Sequence, residues 1–118
     1  MLSAQVRRLD GIAVVAVSGE VDAHSARLFR DALAEGLSDG SRRLIADLAE
    51  VTFLDSSGLG VLVGKLKDVR QRGGSMHVVI ANPRVLRVFE ITGLDRVFRI
   101  HASLDPALVA LGVSPGAV

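Results

Sequence analysis

Apolar residues along this chain alternate between short continuous runs and a helical spacing, which predicts alternating strands and helices. Segments of nearly continuous apolar character occur at "IAVVAV" (12–17), "RRLIADL" (42–48) and "SMHVVIA" (75–81). Runs of this length and content are typical of parallel strands that are buried on both faces. We therefore expect these three segments to lie side by side in one sheet.

Two further strands are predicted at the borders of this central region. "AQVRRL" at 4–9 is separated from 12–17 by Asp10-Gly11, and Asp-Gly between two extended segments is a strong hairpin signal. The first strand should therefore be antiparallel to the second and lie at the sheet edge, and Gly19-Glu20 should end the second. "RVFRIH" at 96–101 is the last predicted strand.

Four segments between and after these strands have helical signals. The first predicted helix is capped by Asp22 and runs to about Gly36, and the second runs from Ser56 to about Arg72. The third begins at Asn82-Pro83 and runs to Thr92, and the fourth runs from Ser103 to near Gly112. The order of elements predicts an α/β fold. It should contain a mostly parallel sheet with an antiparallel first strand, covered by about four helices.

The length and composition fit one domain with one core. The chain has 118 residues, of which 49% are hydrophobic, and a formal net charge of +1. We expect a single domain over residues 1–112 and a loose tail over residues 113–118.

Composition also argues against several classes of function. No apolar run approaches the roughly 18 residues that a membrane span needs, and no targeting segment is evident, so a cytoplasmic protein is expected. The chain has no cysteine, and therefore neither a disulfide nor a thiolate zinc site. It lacks Trp and Tyr and intersperses its charges, which makes nucleic-acid binding unexpected.

The segment "VTFLDSSGLGVLVGKL" at 51–66 contains the candidate functional residues, because an aspartate and two serines interrupt its apolar pattern and Gly58 and Gly60 follow where a helix begins. A phosphate-binding loop G-x-x-x-x-G-K-[ST] does not fit, since Leu59 replaces its first glycine and Leu66 replaces its Ser/Thr. A hydrolase G-x-S-x-G turn is also absent. The three histidines are scattered in sequence, so neither a triad nor a metal site is predicted.

Two explanations of the segment remain open from the residues alone. Asp55, Ser56 and Ser57 are all good N-cap residues, so helix capping explains one of them, although not three in a row. A phosphoacceptor serine is the alternative, because a helix N-terminus tolerates a phosphate and neighbouring glycines let another protein approach. A receiver-type aspartate at Asp47 is disfavoured, since no pair of acidic residues that could hold magnesium follows an early strand.

The sequence as a whole resembles the bacterial anti-sigma factor antagonists, which are free-standing STAS domains. Three stretches carry the resemblance: "SGEVDAHSARLFRDAL" (18–33), "DLAEVTFLDSSGLGVLV" (47–63) and "VFEITGLDRVFRIHASLDPAL" (88–108). The "DSSGLG" motif is specific for the antagonist branch, and "GEVD" reinforces it.

The resemblance implies a partner-switching function without a cofactor or metal. An unphosphorylated antagonist binds an anti-sigma factor that is itself a serine kinase, which frees the sigma factor. The kinase phosphorylates the serine after the aspartate, here Ser56, and a PP2C-type phosphatase reverses this. The expected partner-binding residues are Asp22, Asp55, Ser56, Ser57, Gly58, Gly60, Val61 and Gly64. The alternative is a STAS scaffold or ligand-sensing module without a phosphoswitch.

Overall fold

The five strands lie in one sheet in the order in which they occur along the chain. The computed structural model describes residues 1–114. Its strands are β1 (Ser3–Leu9), β2 (Ile12–Val21), β3 (Arg43–Leu54), β4 (Ser75–Val79) and β5 (Arg99–His101). β1 is antiparallel to β2, and the other neighbouring strands are parallel. The predicted fold class and strand neighbours are therefore confirmed.

Four α-helices and one 3-10 turn connect or follow these strands in the described part of the chain. The helices are α1 (Ala26–Gly36), α2 (Ser56–Gln71), α3 (Pro83–Thr92) and α4 (Leu104–Ala110), and the 3-10 turn is Leu94–Arg96. Asn82 caps α3 by accepting a hydrogen bond from Arg84 N–H, and Gly93 ends it in the left-handed conformation. Both ends of α3 agree with the sequence signals.

The alternation of side chains along the strands divides the core into two clusters. On β2, Ala13, Val15 and Val17 belong to the larger cluster, while Ile12 and Val14 belong to the smaller one. Residues from α1, α2 and α3 cover the larger cluster, and residues from α4 cover the smaller one. Because helices pack on both faces of the central strands, nearly every position of these strands is apolar.

The hairpin between β1 and β2 forms as predicted. Leu9 pairs with Ile12, and Asp10 and Gly11 both have positive φ, which is the conformation of a type I′ turn. β2 does not end at Gly19, however, but continues to Val21. Gly19 has a φ of +102°, and the register between β2 and β3 shifts on either side of Ser18 and Gly19. The glycine is thus a bulge position within the strand and not its end.

Several other boundaries also differ from the prediction. β3 includes "AEVTFL" and runs to Leu54, because its parallel pairing with β2 continues beyond the polar residue Glu50. β5 is shorter than predicted, because Leu94–Arg96 forms a 3-10 turn and pairing begins only at Arg99. α4 begins at Leu104 and ends at Ala110.

The packed part of the chain includes one residue of the predicted tail. Val113 is 5% exposed and belongs to the smaller core cluster, and its N–H donates to Leu108 O. The rest of that prediction falls largely on residues 115–118, which lie outside the described residues. No helix within residues 1–114 is long and apolar enough to cross a membrane.

One polar side chain, His77 on β4, is buried in the sheet. It is 2% exposed, and its Nδ1 lies 2.8 Å from Nε2 of His101 on the neighbouring strand β5. The two rings are nearly coplanar, with an interplanar angle of 8°. Burial lowers the pKa of His77 below its ordinary value of 6.5, and the nearby His101 and Arg99 lower it further.

Acidification should therefore destabilise the fold through His77. Its pKa is lower in the folded chain, so the unfolded chain binds a proton first as the pH falls below about 6.5. We expect the free energy of unfolding, measured by urea denaturation, to decrease between about pH 7.5 and 5.5. His77→Gln should flatten this dependence, and His24→Gln, which removes a histidine from an exposed position, is the matched control. Equal pH slopes for the wild type and His77→Gln would contradict the expectation.

Candidate functional site

The site lies where β2 and β3 end side by side. Val21 pairs with Leu54, and the next residues along the two strands are Asp22 and Asp55. Asp55 N–H donates a hydrogen bond of 3.1 Å to Val21 O, which fixes the second loop against the first. The pairing therefore brings together two acidic residues that are 33 positions apart in sequence.

Asp55 is the N-cap of α2. Its Oδ1 accepts hydrogen bonds from Ser57 N–H at 2.9 Å and Gly58 N–H at 3.4 Å, and its carbonyl accepts one from Leu59 N–H. These bonds satisfy amides that the first turn of a helix otherwise leaves unpaired. Capping thus accounts for Asp55 fully, and it needs neither serine hydroxyl.

The two serines that follow differ in their exposure. Ser56 is the first residue of α2 and is exposed, and among the described residues its hydroxyl has no hydrogen-bond partner. Ser57 is partly buried and uses its amide in the cap of Asp55. The first turn of α2 therefore presents one free, exposed hydroxyl at the positive end of the helix dipole.

Asp22 does not cap α1 directly, contrary to the prediction. It organises a turn before the helix: its Oδ1 accepts hydrogen bonds from His24 N–H and Ser25 N–H, both at 3.0 Å. Helix α1 begins only at Ala26, after Ser25. The pKa of Asp22 is lowered, first by the hydrogen bond from Ser25 N–H and then by the Ser25 hydroxyl. Asp22 therefore remains ionised beside the α2 N-terminus.

The glycines of α2 serve different purposes, and one of them is not at the surface. Gly58 is buried, and a Cβ there would overlap the side chain of Leu54 and lie 2.7 Å from Val21 Cγ1. Its expected role in exposing the backbone to a partner is therefore wrong: the close packing of α2 on the strand ends requires it. Gly60 and Gly64 are exposed, and a Cβ at either would meet nothing within 4 Å.

A shallow groove of about 430 Å³ lies between α1 and α2, beside the exposed glycines. Four of the predicted partner-binding residues line it, namely Ser57, Gly60, Val61 and Gly64. Four lining residues were not predicted, namely Ala26 and Arg30 of α1 and Lys65 and Asp68 of α2. We give the name docking surface to five residues that the sequence predicts to bind a partner, namely Ser56, Ser57, Gly60, Val61 and Gly64.

The α1 residues of the groove could not be found from the motif. The sequence places Arg30 on the outward face of α1, but which helix lies next to that face depends on the three-dimensional packing. Lys65 and Asp68 follow the motif on α2, where their Nζ and Oδ2 atoms are 3.5 Å apart. Within the described part of the chain, no three His, Asp or Glu side chains are grouped so that they could hold a metal ion.

Comparison with known proteins identifies the family. The model of the STAS domain family matches residues 3–107, which is most of the chain. The chain belongs to the STAS domain family. The match includes both strand ends, the Asp22 turn and the whole of α2, so every residue of the docking surface lies within it.

Relatives of this STAS domain are similar over nearly their whole length. An anti-sigma F factor antagonist of Paenibacillus polymyxa is 35% identical over 104 residues, which are 87% of this chain and 89% of the relative. An anti-sigma-B factor antagonist of Bacillus subtilis is also 35% identical, over 88% of this chain and 94% of the relative. The crystal structure of an anti-sigma factor antagonist from Mycobacterium paratuberculosis covers 93% of each chain, with 34% identity and a TM-score of 0.86.

The two kinds of glycine in α2 should respond to alanine in opposite ways. Gly58→Ala should destabilise the STAS domain by about 1–3 kcal/mol, because the added methyl group has no space between Leu54 and Val21. Gly60→Ala should stabilise it by about 0.5–1 kcal/mol, because alanine is the better helix former and nothing obstructs it. Urea denaturation of both variants measures these changes. Equal effects of the two substitutions would contradict the assignment.

Proposed function

We propose that this STAS domain is an anti-sigma factor antagonist controlled by phosphorylation of Ser56. In this proposal the unphosphorylated domain binds an anti-sigma factor that is a serine kinase, and the sigma factor is released. Phosphate on Ser56 prevents that binding, and a PP2C-type phosphatase removes it. The observation that carries the proposal is the exposed, unpaired Ser56 hydroxyl beside a groove lined by two exposed glycines. The names of the relatives support the same function.

Exposure favours Ser56 over Ser57 as the acceptor. A kinase must bring the γ-phosphate of ATP in line with the attacking hydroxyl, which requires a residue that is open to another protein. Ser56 is exposed, whereas Ser57 is partly buried and lines the groove. The family pattern, in which the serine directly after the aspartate is the acceptor, supports the same choice.

The geometry supports a switch that acts at the interface and leaves the domain folded. A phosphoserine carries almost two negative charges at neutral pH. The α2 dipole stabilises these charges by about 0.3–1 kcal/mol, and the Asp55 carboxylate opposes them. Asp55 already accepts the Ser57 and Gly58 amides, so the cap of α2 does not depend on the Ser56 hydroxyl. The local effects nearly cancel, and the helix should persist.

The partners supply all the chemistry in this scheme, so we infer that the domain is a regulatory binding protein and not an enzyme. The kinase provides ATP and the transfer step, and the phosphatase provides hydrolysis. We place the domain in the cytoplasm together with these partners. The docking surface itself needs only an accessible hydroxyl and a smooth surface, and the exposed Gly60 and Gly64 provide that surface.

Phosphorylation should occur at Ser56 when the purified domain is incubated with its cognate kinase and ATP. Mass-spectrometric mapping identifies the modified residue. Ser56→Ala should abolish the modification while preserving kinase binding, because alanine removes the nucleophile but little contact area. Ser57→Ala is the matched control and should still be phosphorylated. Phosphate on Ser57 would overturn the assignment. Kinase binding without phosphorylation would instead favour a STAS scaffold without a phosphoswitch.

Phosphorylation should reduce the affinity for the kinase at least about a hundredfold without unfolding the domain. A like charge about 6 Å away, at an effective dielectric constant near 20, costs roughly 3 kcal/mol, and a hundredfold loss corresponds to about 2.7 kcal/mol. Titration calorimetry measures the affinity, and thermal denaturation should give a nearly unchanged Tm. Unchanged affinity, or a steep fall in Tm, would contradict repulsion at the interface.

A further inference from the structure

A second cavity, of about 330 Å³, lies far from the docking surface at the amino-terminal end of β4. Arg70, close to the carboxyl end of α2, lines it. Helix α2 has 16 residues and is therefore about 24 Å long, with Ser56 at its other end. The cavity also contacts Ala110 and Leu111 at the end of α4. The phosphoswitch proposed above makes no use of this cavity.

A buried histidine directs one nitrogen into the cavity. His77 Nδ1 is hydrogen-bonded to His101 Nε2, but His77 Nε2 has no hydrogen-bond partner among the described residues. None of the described side chains has an enclosed nitrogen or oxygen without a partner, so this Nε2 must be accessible to solvent. Since His77 is 98% buried and lines the cavity, its accessible atom faces the cavity.

A backbone amide faces the same space. In the parallel pair of β4 and β5, the N–H of every second residue of β4 points towards β5, and Ile80 N–H donates to His101 O. Four residues earlier on both strands, the same pattern would join Met76 N–H to Val97 O. That bond does not form within the described chain, because β5 begins only at Arg99, after the 3-10 turn. Met76 and Val97 both line the cavity. The Met76 amide is thus a donor without a strand partner, next to His77.

The charged residues around the cavity are all cationic. Arg70 and Arg99 line it, and none of its ten lining residues is acidic. Ser75 adds a hydroxyl that makes no hydrogen bond to the described residues. Leu66 and Leu111 supply apolar walls. Cationic donors at one end and aliphatic surface at the other suit an organic molecule with an anionic group.

We propose that this cavity binds a small organic oxyanion, either a phosphate ester or a carboxylate. Its oxygens accept hydrogen bonds from Met76 N–H and His77 Nε2–H and pair with Arg70 and Arg99, while its apolar part contacts Leu66 and Leu111. With the proton of His77 on Nε2, His77 Nδ1 becomes the acceptor and His101 Nε2 the donor of their shared hydrogen bond. Binding therefore selects one tautomer of the histidine pair.

NMR titration of the whole domain with phenyl phosphate, benzoate and sodium chloride, at constant ionic strength, tests this site. The two oxyanions should shift the Met76 amide resonance. The nitrogen chemical shifts of His77 should become those of an imidazole that is protonated only on Nε2. Chloride should cause neither change. Tighter binding of phenyl phosphate identifies a phosphate site, and tighter binding of benzoate a carboxylate site. If neither oxyanion shifts Met76 or His77 more than chloride does, the proposal is wrong.

Matched arginine variants separate this site from general attraction of anions to a cationic surface. Arg99→Gln should weaken binding about tenfold, the loss expected for one charge-assisted hydrogen bond. Arg84→Gln removes the same charge from an exposed position on α3 outside the cavity and should bind like the wild type. Equal weakening by the two variants would overturn the proposal. Ser56→Ala should bind both probes normally, so this test is independent of the phosphoswitch.

Discussion

The structure depends above all on the parallel pairing of β2 with β3. These are the two longest strands, and their pairing extends from Ile12 and Arg43 to Val21 and Leu54. The buried side chains of both strands form the centre of the two core clusters. The same pairing fixes where the strands end, and both loops of the candidate site begin there. A change of register at this end would therefore move the site as well as the core.

Gly58 fixes the position of the docking surface relative to the sheet. Because it has no side chain, the first turn of α2 can lie directly on Leu54 and Val21. Asp55 closes the same turn by accepting two of its amides. The position of Ser56 is thus set by a cap and a close packing contact, neither of which involves its own side chain. Exposure of the hydroxyl follows from this arrangement.

Local sequence signals predicted the fold class, the hairpin and the start of α2, because each depends on neighbouring residues. Asp10-Gly11 specifies its turn, and the Asp55 cap specifies its helix, whatever lies further along the chain. The misplaced ends of β2 and β3 depend on the pairing between these two strands. Gly19 looked like a strand end because a bulge stabilised by pairing with β3 cannot be distinguished locally from a turn. Gly58 and Gly60 could not be told apart in the sequence for the same reason, because only the packing of Gly58 against Leu54 distinguishes their roles.

The two faces of α2 differ in a way that allows one helix both to stabilise the fold and to take part in the proposed phosphoswitch. Its buried face is formed by Leu59, Leu62, Leu66 and Val69, which hold it on the sheet. Its exposed face includes Gly60 and Gly64 and gives up roughly 1 kcal/mol of helix stability for each glycine. Since the buried face holds the helix on the sheet, the exposed face can remain smooth, and we expect that a charge added at Ser56 would not disturb the core. The switch that we propose would therefore change the partner's affinity and leave the fold unchanged.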